Sequence, residues 1–392
     1  MRDDVFSLPA DVRERTAQHM FEVLGQLRGC ALKGAEQLRV LGQALPPDLA
    51  GPYRVALARL QESAPSMLPS VVHQVLARGL GDDWRTLFRE FDDRRPVAAS
   101  AGQVHRAVWW DGRRVAVKVQ YPSARRLFRR DLAQLARLWR LASALIGRAE
   151  GWEVVETISE QIGEELDYAR EARNQRAFAA AFDGDPDFVV PAVVAQAGDV
   201  LVGEWVAGTP VTRLIAAGER ADRDRAGLLM LRFGFAGPGR CGLMHGDPSP
   251  GNARLLPDGR LGVLDFGACA PVPPDLRRDL AELLAALAGD APGAWTDALR
   301  ARRFLAPDAD PAAAQRVVRD VFAFLRDDEF AFSDRRLRRA VRAVDVRGLR
   351  GFGVPARFAR VWWTLLGAVG VLSRLEASGP FRGELARLGG AR

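Results

Sequence analysis

The chain has 392 residues, a formal net charge of +7 and 48% hydrophobic residues, enough for two or three folded units with substantial cores. Its three cysteines and four histidines are too few for a disulfide framework or a zinc cluster, so neither is expected to organise the fold. The longest apolar stretch, 361–372, is shorter than the roughly 20 residues of a spanning helix, and the first residues lack a signal-peptide core, so we expect a cytoplasmic protein with a buried C-terminal helix.

Helical periodicity interrupted by prolines covers residues 11–89 and predicts a helical extension before the first strands. The apolar stretch 104–110, the turn pair Asp111-Gly112 and a second apolar run ending at Lys118 then predict a β-hairpin. Of the 56 lysines and arginines only Lys33 and Lys118 are lysines. Because this chain otherwise uses arginine for positive charge, a retained lysine indicates a site that needs a compact ammonium group.

The elements after the hairpin change from mixed to mainly helical. Helical patterns cover residues 123–182, and residues 209–392 are mainly helical. Short strands are expected at 188–196, 200–206, 253–256 and 261–264.

Three motifs follow one another in the order that kinases use. Lys118 ends the strand V-A-V-K, Asp247 and Asn252 belong to H-x-D-x-x-x-x-N at residues 245–252, and Asp265 opens Asp-Phe-Gly. Transfer of a γ-phosphoryl group needs a cation on the α- and β-phosphates, oxygen ligands for Mg²⁺ and a group that orients the nucleophile. The cation would be Lys118, the oxygen ligands would come from Asp265 and Asn252, and the orienting group would be Asp247.

A strand lysine of this kind also needs a carboxylate to hold it. The acid-rich, helix-like segment 156–168 lies where a kinase αC-type helix would present one, although its several acids leave the choice open. A P-loop is excluded, because neither lysine lies in G-x-x-x-x-G-K or is followed by Ser or Thr.

These residues resemble the UbiB (AarF-type) atypical kinases, relatives of the mitochondrial coenzyme Q kinases, over about residues 27–270. The resemblance implies that the alanine-rich loop with Ala98, Ala99 and Ser100 covers the nucleotide. It favours Glu165, in Glu165-Leu166-Asp167-Tyr168, as the partner of Lys118. Backbone groups of the hinge around Glu204 and Val206 are expected to meet the adenine. The resemblance rests on the motifs A-A-S-A-G-Q at 98–103, V-A-V-K-V-Q-Y-P at 115–122, E-L-D-Y-A-R-E-A at 165–172 and V-G-E-W-V-A-G at 202–208.

Two family motifs are altered. The family's K-x-G-Q motif, which implies an N-terminal extension folded over the active site, appears as Lys33-Gly34-Ala35-Glu36. Ser249 stands where the family's H-G-D-P-H-P-G-N has its second histidine. Asp247, Asn252 and Asp265 are all present, so we do not expect an inactive site.

The resemblance implies an α+β, two-lobed protein-kinase-like fold: a helical N-terminal extension at 1–91, a small lobe with helical insertions at 92–208, and a mostly helical large lobe at 209–392. It implies ATP or ADP with Mg²⁺ as cofactors, and an atypical kinase or ATPase that acts in isoprenoid quinone or lipid metabolism. A protein substrate is not expected, because Ser249 replaces the lysine of peptide-directed kinases and no A-P-E motif follows Asp-Phe-Gly. Two alternatives stay open, a nucleotide-binding pseudokinase scaffold and a small-molecule phosphotransferase of the aminoglycoside or choline kinase type.

Arginines cluster at 125–130, 137–140 and 335–339. Such clusters suit anionic lipid head groups or nucleic acid, and an ordinary solvated helix face is the alternative. No nucleic-acid motif accompanies them, so we expect no nucleic-acid partner. The expected partners are nucleotide, a lipid or quinone-related substrate, and an anionic membrane to which the cytoplasmic protein binds peripherally.

Overall fold

The computed structural model describes residues 66–99, 101–126, 163–164, 166–343 and 351–390. The chain divides into two compact units. The first comprises Met1–Ala180, Val190–Val206 and Asp265–Ala268, and the second comprises Ala181–Val189, Ala207–Leu264 and Cys269–Arg392.

The strands of the described residues are short, and most lie before residue 272. In chain order they are β1 Phe88–Phe91, β2 Val97–Ala98, β3 Gly102–Trp109, β4 Arg114–Gln120, β5 Phe188–Val189, β6 Val193–Ala197, β7 Val200–Glu204, β8 Thr209–Pro210, β9 Leu243–Met244, β10 Ala253–Leu255, β11 Leu261–Val263, β12 Ala270–Pro271, β13 Phe330–Ala331 and β14 Ser378–Gly379.

The α-helices of the described residues lie mostly in the second unit. In chain order they are α1 Pro69–Leu80, α2 Tyr168–Ala181, α3 Val211–Ala217, α4 Arg220–Arg240, α5 Pro274–Ala288, α6 Pro292–Ala301, α7 Pro311–Val321, α8 Asp334–Ala343, α9 Ala359–Leu375 and α10 Phe381–Gly390.

The first unit is built on an antiparallel sheet in the order β1-β3-β4-β7-β6, with β2 paired to β3. The predicted hairpin is present as β3 and β4, and its turn contains Gly112 at a φ of 95°, a conformation that glycine adopts without a steric penalty. Along β4 the side chains alternate between faces, so Val115, Val117 and Val119 are fully buried. These valines pack against residues of α1, and Lys118 lies on the other face of the sheet.

The sheet begins earlier than the sequence indicated. We assigned residues 1–91 to a helical extension, but β1, Phe88–Phe91, pairs with β3 and α1 packs into the core of the first unit. A four-residue strand with phenylalanines at both ends carries too little periodicity to interrupt a helical pattern. The rest of the three-part division stays a prediction.

The alanine-rich loop forms the tip between β2 and β3. The Ala99 N–H donates to the Gly102 carbonyl at 2.9 Å, and Ala98 pairs with Gln103 across the hairpin. A Cβ at Gly102 would lie 2.1 Å from the Val119 carbonyl oxygen, so only glycine lets β3 approach β4 this closely.

A buried hydrogen-bond chain ties the segment before α1 to this hairpin. His105, fully buried, donates from Nδ1 to the Asp92 carbonyl at 2.8 Å, so its Nε2 accepts from the Gln103 amide at 2.9 Å. Gln103 Oε1 in turn accepts the Met67 N–H at 2.8 Å. This chain of donors and acceptors requires a neutral imidazole, and burial lowers the pKa of His105 although the nearby Asp92 and Asp93 oppose the shift.

We therefore expect acid to destabilise the first unit through His105. Its pKa is lower in the folded chain than in the unfolded one, so its stabilising contribution is complete above the ordinary histidine pKa and declines as pH falls through the folded value. Denaturant unfolding between about pH 7.5 and pH 5 should show a steeper loss of stability for the native chain than for His105→Gln. Identical pH dependences in the two chains would contradict this account.

In the second unit a four-stranded sheet in the order β5-β11-β10-β8 lies among the helices, with β5 parallel to β11 and the other pairs antiparallel. The single strand predicted at 188–196 is two strands, β5 in the second unit and β6 in the first. Pro191 lies between them, and proline has no N–H to continue a ladder. The predicted C-terminal buried helix is confirmed as α9. None of the helices among the described residues is both long and apolar enough to cross a membrane.

Candidate functional site

Lys118 lies at the centre of a charged cluster in the first unit. Its Nζ donates to both carboxylate oxygens of Glu171 at 2.8 Å and to Asp265 Oδ2 at 3.2 Å. The ring of Tyr168 lies 5.1 Å from the same ammonium group. Lys118 is 14% exposed and Glu171 only 2%, so these charges interact where water screens them weakly.

The cluster combines one ammonium group with two carboxylates, those of Glu171 and Asp265, in a mostly buried place. Carboxylate oxygens are ligands that Mg²⁺ prefers, and an ammonium group suits phosphate oxygens. The donor set therefore fits a divalent cation carried by a phosphate group.

Helix α2 holds both Lys118 and the Asp-Phe-Gly segment. Glu171 reaches Lys118 from this helix, the Asn174 amide donates to the Phe266 carbonyl at 3.0 Å, and Arg170 donates to the Gly267 carbonyl at 3.1 Å. The buried ring of Phe266 packs 5.2 Å from that of Phe178, one turn further along the same face. One helix face thus positions the lysine and the backbone that carries Asp265.

Asp265 has a strained backbone. Its φ of 58° lies in the left-handed region, which costs a non-glycine residue about 1–2 kcal/mol. The Gly267 N–H donates to Asp265 Oδ1 at 3.2 Å, and this bond orients the carboxylate with Oδ2 toward Lys118. A conformation of this cost persists where surrounding contacts enforce it, as the bonds from α2 do here.

The loop that carries Asp247 and Asn252 lies in the second unit. Asp247 is 5% exposed, and its two oxygens accept the Ser249 N–H at 3.2 Å and the Asn252 amide at 2.7 Å. Because the Asn252 nitrogen is used by Asp247, its Oδ1 is the atom that can ligate a cation. The Asn252 carbonyl accepts the Leu264 N–H at 2.7 Å, which ties the loop to the residue before Asp265 in the chain.

A cavity of about 380 Å³ opens beside this loop, within the second unit. Asp247, Ser249 and Asn252 provide polar groups on one side, and Met230, Phe233 and other side chains of α4 and β11 provide an apolar side. The α9 residue Thr364 also lines it and donates its hydroxyl to the Gly246 carbonyl at 3.3 Å. A cavity with a carboxylate at one wall can hold a small nucleophile-bearing molecule next to that carboxylate.

The structure places the predicted site residues unevenly. Lys118 and Asp265 meet in the first unit, and Asp247 and Asn252 meet in the second. Glu204 and Val206 lie at the end of β7, where the chain passes from the first unit to the second. Of the remaining predicted residues, Ala98 and Ala99 lie at the hairpin tip, and Lys33, Ser100 and Glu165 lie outside the described residues.

The carboxylate that pairs with Lys118 among the described residues is Glu171, whereas the sequence analysis favoured Glu165. Both acids belong to the stretch 165–172, but the helix begins at Tyr168, so Glu171 lies in its first turn with its side chain buried against the sheet. We therefore assign the role to Glu171. Arg170 and Asn174, which hold the Asp-Phe-Gly carbonyls, were missed; their i, i+4 spacing beside Glu171 was the available signal.

Comparisons with known proteins find relatives over most of the chain. The model of the ABC1 atypical kinase-like domain matches residues 59–292. An uncharacterized protein of Synechocystis, slr1919, is 31% identical over 79% of this chain and 55% of its own length. The mitochondrial atypical kinase COQ8 of Saccharomyces cerevisiae is 33% identical over 64% of this chain and 50% of its own length. The chain thus spans about half the length of the curated relatives it matches.

Among solved structures, Rv3197 of Mycobacterium tuberculosis, determined as a complex with erythromycin, is 35% identical with a TM-score of 0.72. The match covers 97% of each chain. Together with the domain match, it confirms the predicted α+β, kinase-like fold.

Proposed function

The chain belongs to the ABC1 atypical kinase-like family, and from that premise we propose that it binds ATP or ADP with Mg²⁺ and transfers or hydrolyses the γ-phosphoryl group. The observation that carries the proposal is the cluster of Lys118, Glu171 and Asp265, in which one ammonium group is shared by two carboxylates. A carboxylate suits a divalent cation and an ammonium group suits phosphate oxygens, so the pair fits a metal-bound nucleotide phosphate.

Each residue has a defined part in this proposal. Lys118, oriented by Glu171, binds the phosphates of the nucleotide, and the hairpin tip with Ala98 and Ala99 covers them. The oxygen ligands predicted from the sequence for Mg²⁺ are those of Asp265 and Asn252, and the cation would neutralise charge on the phosphates. Asp247 orients the nucleophile and accepts its proton, since its carboxylate lines the cavity beside α4.

The direct test is nucleotide binding and ATP turnover by the purified chain, with Mg²⁺ and with a chelator. Turnover that requires Mg²⁺ supports the enzyme. Binding without turnover, with lipid present or absent, would favour the pseudokinase scaffold that the altered Lys33-Gly34-Ala35-Glu36 motif and Ser249 suggest. Turnover stimulated by a small hydroxylated acceptor would favour a small-molecule phosphotransferase.

We also propose a lipid or quinone-related substrate for the phosphoryl group. The support is family membership and the apolar side of the cavity beside Asp247. A second candidate function, binding of a macrolide, is supported by the erythromycin complex of Rv3197 and is tested by calorimetric titration with erythromycin.

We also propose that the protein is cytoplasmic and associates peripherally with anionic membranes, and α8 supports this association. This ten-residue helix contains five arginines and one acid. Arg335, Arg336, Arg338 and Arg339 are exposed, while Leu337 is 7% exposed and anchors the helix. The exposed side therefore attracts an anionic surface by charge, at about 1 kcal/mol per arginine near the membrane. Most of the cluster at 125–140, to which we first assigned this role, lies outside the described residues.

We expect the native chain to sediment with anionic vesicles at low salt and to be released as salt rises, because counterions screen the attraction. Replacing Arg335, Arg338 and Arg339 by glutamate should abolish this sedimentation. The matched control replaces the exposed Arg94, Arg213 and Arg278 by glutamate, which changes the net charge equally but does not touch α8. Equal losses in both variants would show that net charge, and not this helix, causes the binding.

A further inference from the structure

A second cavity lies in the second unit, and α4 and α9 contribute to it as they do to the cavity beside Asp247. It has a volume of about 630 Å³, part of it open to solvent. Among the described residues fourteen side chains line it, all of them apolar and six of them aromatic, contributed mainly by α5, α6, α7 and α9.

The cavity has a buried floor and an accessible mouth. On the floor Leu287, Val318 and Phe358 are each 2% exposed, whereas Leu284 and Trp362 at the mouth are half-buried. A ligand can therefore enter past α5 and α9 and reach side chains that water does not reach.

Arg326 keeps the floor in place. Its Nη1 donates to the carbonyls of Leu287, Val318 and Phe322 at 3.5, 3.2 and 3.5 Å. The guanidinium lies 4.9 Å from the ring of Trp295, and burial lowers its pKa. Because one cation binds carbonyls at the ends of both α5 and α7, it joins the ends of these two lining helices.

The lining determines the chemistry of the ligand. In the part of the chain that the structure describes, no polar side chain faces the space, so a hydroxyl or amide placed deep inside would lose its hydrogen bonds to water without replacement. Cavities of this kind repel water and accept hydrocarbon. A saturated or isoprenoid hydrocarbon chain can contact this lining without losing hydrogen bonds, whereas a hydroxyl-rich ring cannot.

The charge next to the cavity indicates which head group the bound hydrocarbon chain carries. Helix α8 packs against α7 and α9, which contribute Val318, Trp362 and Leu365 to the lining. The exposed arginines of α8 are therefore on the element adjoining that wall. We propose that the cavity binds the hydrocarbon chain of an anionic amphiphile and that the α8 arginines attract its head group.

The test uses cis-parinaric acid, a fatty acid whose fluorescence increases in an apolar site, at concentrations below those at which it forms micelles. The native chain should bind it saturably. Leu284→Trp, which fills the mouth, should weaken binding about tenfold or more, as expected for steric loss of an apolar pocket. The matched control is Ala285→Trp, the neighbouring residue of α5 with an exposed side chain, and it should bind as the native chain does.

The methyl ester of the same fatty acid has the same hydrocarbon chain but no negative charge, so it shows how much of the affinity comes from the head group. The native chain should bind the acid more tightly than the ester, and replacing Arg335, Arg338 and Arg339 by glutamine should remove the difference. Thermal unfolding identifies any variant that fails to fold, and Leu284→Phe then serves as the milder replacement. Equal affinities of native, Leu284 and Ala285 variants would overturn the site, and an ester that binds as tightly as the acid would overturn the assignment of the head group to α8.

Discussion

We expect Asp247→Asn to reduce ATP turnover by about a thousandfold while nucleotide affinity changes little, because a positioned general base contributes that order of rate acceleration. In the native chain the Asp247 carboxylate is held by the Ser249 N–H and the Asn252 amide, so its orientation toward a substrate is already set. An amide at this position has the same size but cannot accept a proton. Parallel measurements of turnover and equilibrium binding check this.

Asp258→Asn is the matched control for that variant. Asp258 lies in the turn between β10 and β11, where it binds Arg260 and is well exposed, so its replacement should leave both quantities unchanged. The opposite result would be that Asp247→Asn loses nucleotide affinity but turns over at the native rate once nucleotide is bound. Asp247 would then bind the metal, and its role would be exchanged with that of Asp265.

We expect Lys118→Arg to weaken nucleotide binding about tenfold and turnover about a hundredfold, although the charge is kept. The Lys118 Nζ is a single atom at hydrogen-bond distance from both Glu171 and Asp265. A guanidinium is longer and planar, so it pairs with one carboxylate in a fork and cannot occupy the point between the two. The control is the reverse exchange Arg114→Lys at the exposed start of the same strand, which should leave nucleotide affinity and turnover unchanged. If Lys118→Arg keeps the native nucleotide affinity and turnover, Lys118 does not belong to the nucleotide site.

The sequence predicted the elements whose signals are local. The apolar runs on either side of Asp111-Gly112 predicted a β-hairpin, which is present as β3 and β4. The order of Lys118, Asp247, Asn252 and Asp265 indicated a kinase signature, and the surrounding motifs carried the resemblance to the UbiB family, which the domain match confirms.

What the sequence left undecided depends on packing between distant segments. Which acid meets Lys118 is determined by where α2 begins and which of its faces meets the sheet, and neither is encoded in the acids themselves. Arg170 and Asn174 bind backbone carbonyls nearly a hundred residues away, so no side-chain pattern reveals their partners. The apolar cavity is formed by helices that each look like ordinary core helices in sequence.

The central claim, that Asp265 and Lys118 form a site for metal-bound nucleotide, is tested most directly by measuring ATP affinity with and without Mg²⁺ in the native chain and in Asp265→Asn. We predict that Mg²⁺ strengthens binding about tenfold or more in the native chain and has little effect in the variant, because the carboxylate that would ligate the cation is gone. Thermal unfolding of both chains without nucleotide shows whether the variant keeps its fold. An equal Mg²⁺ effect in a folded Asp265→Asn would contradict the account.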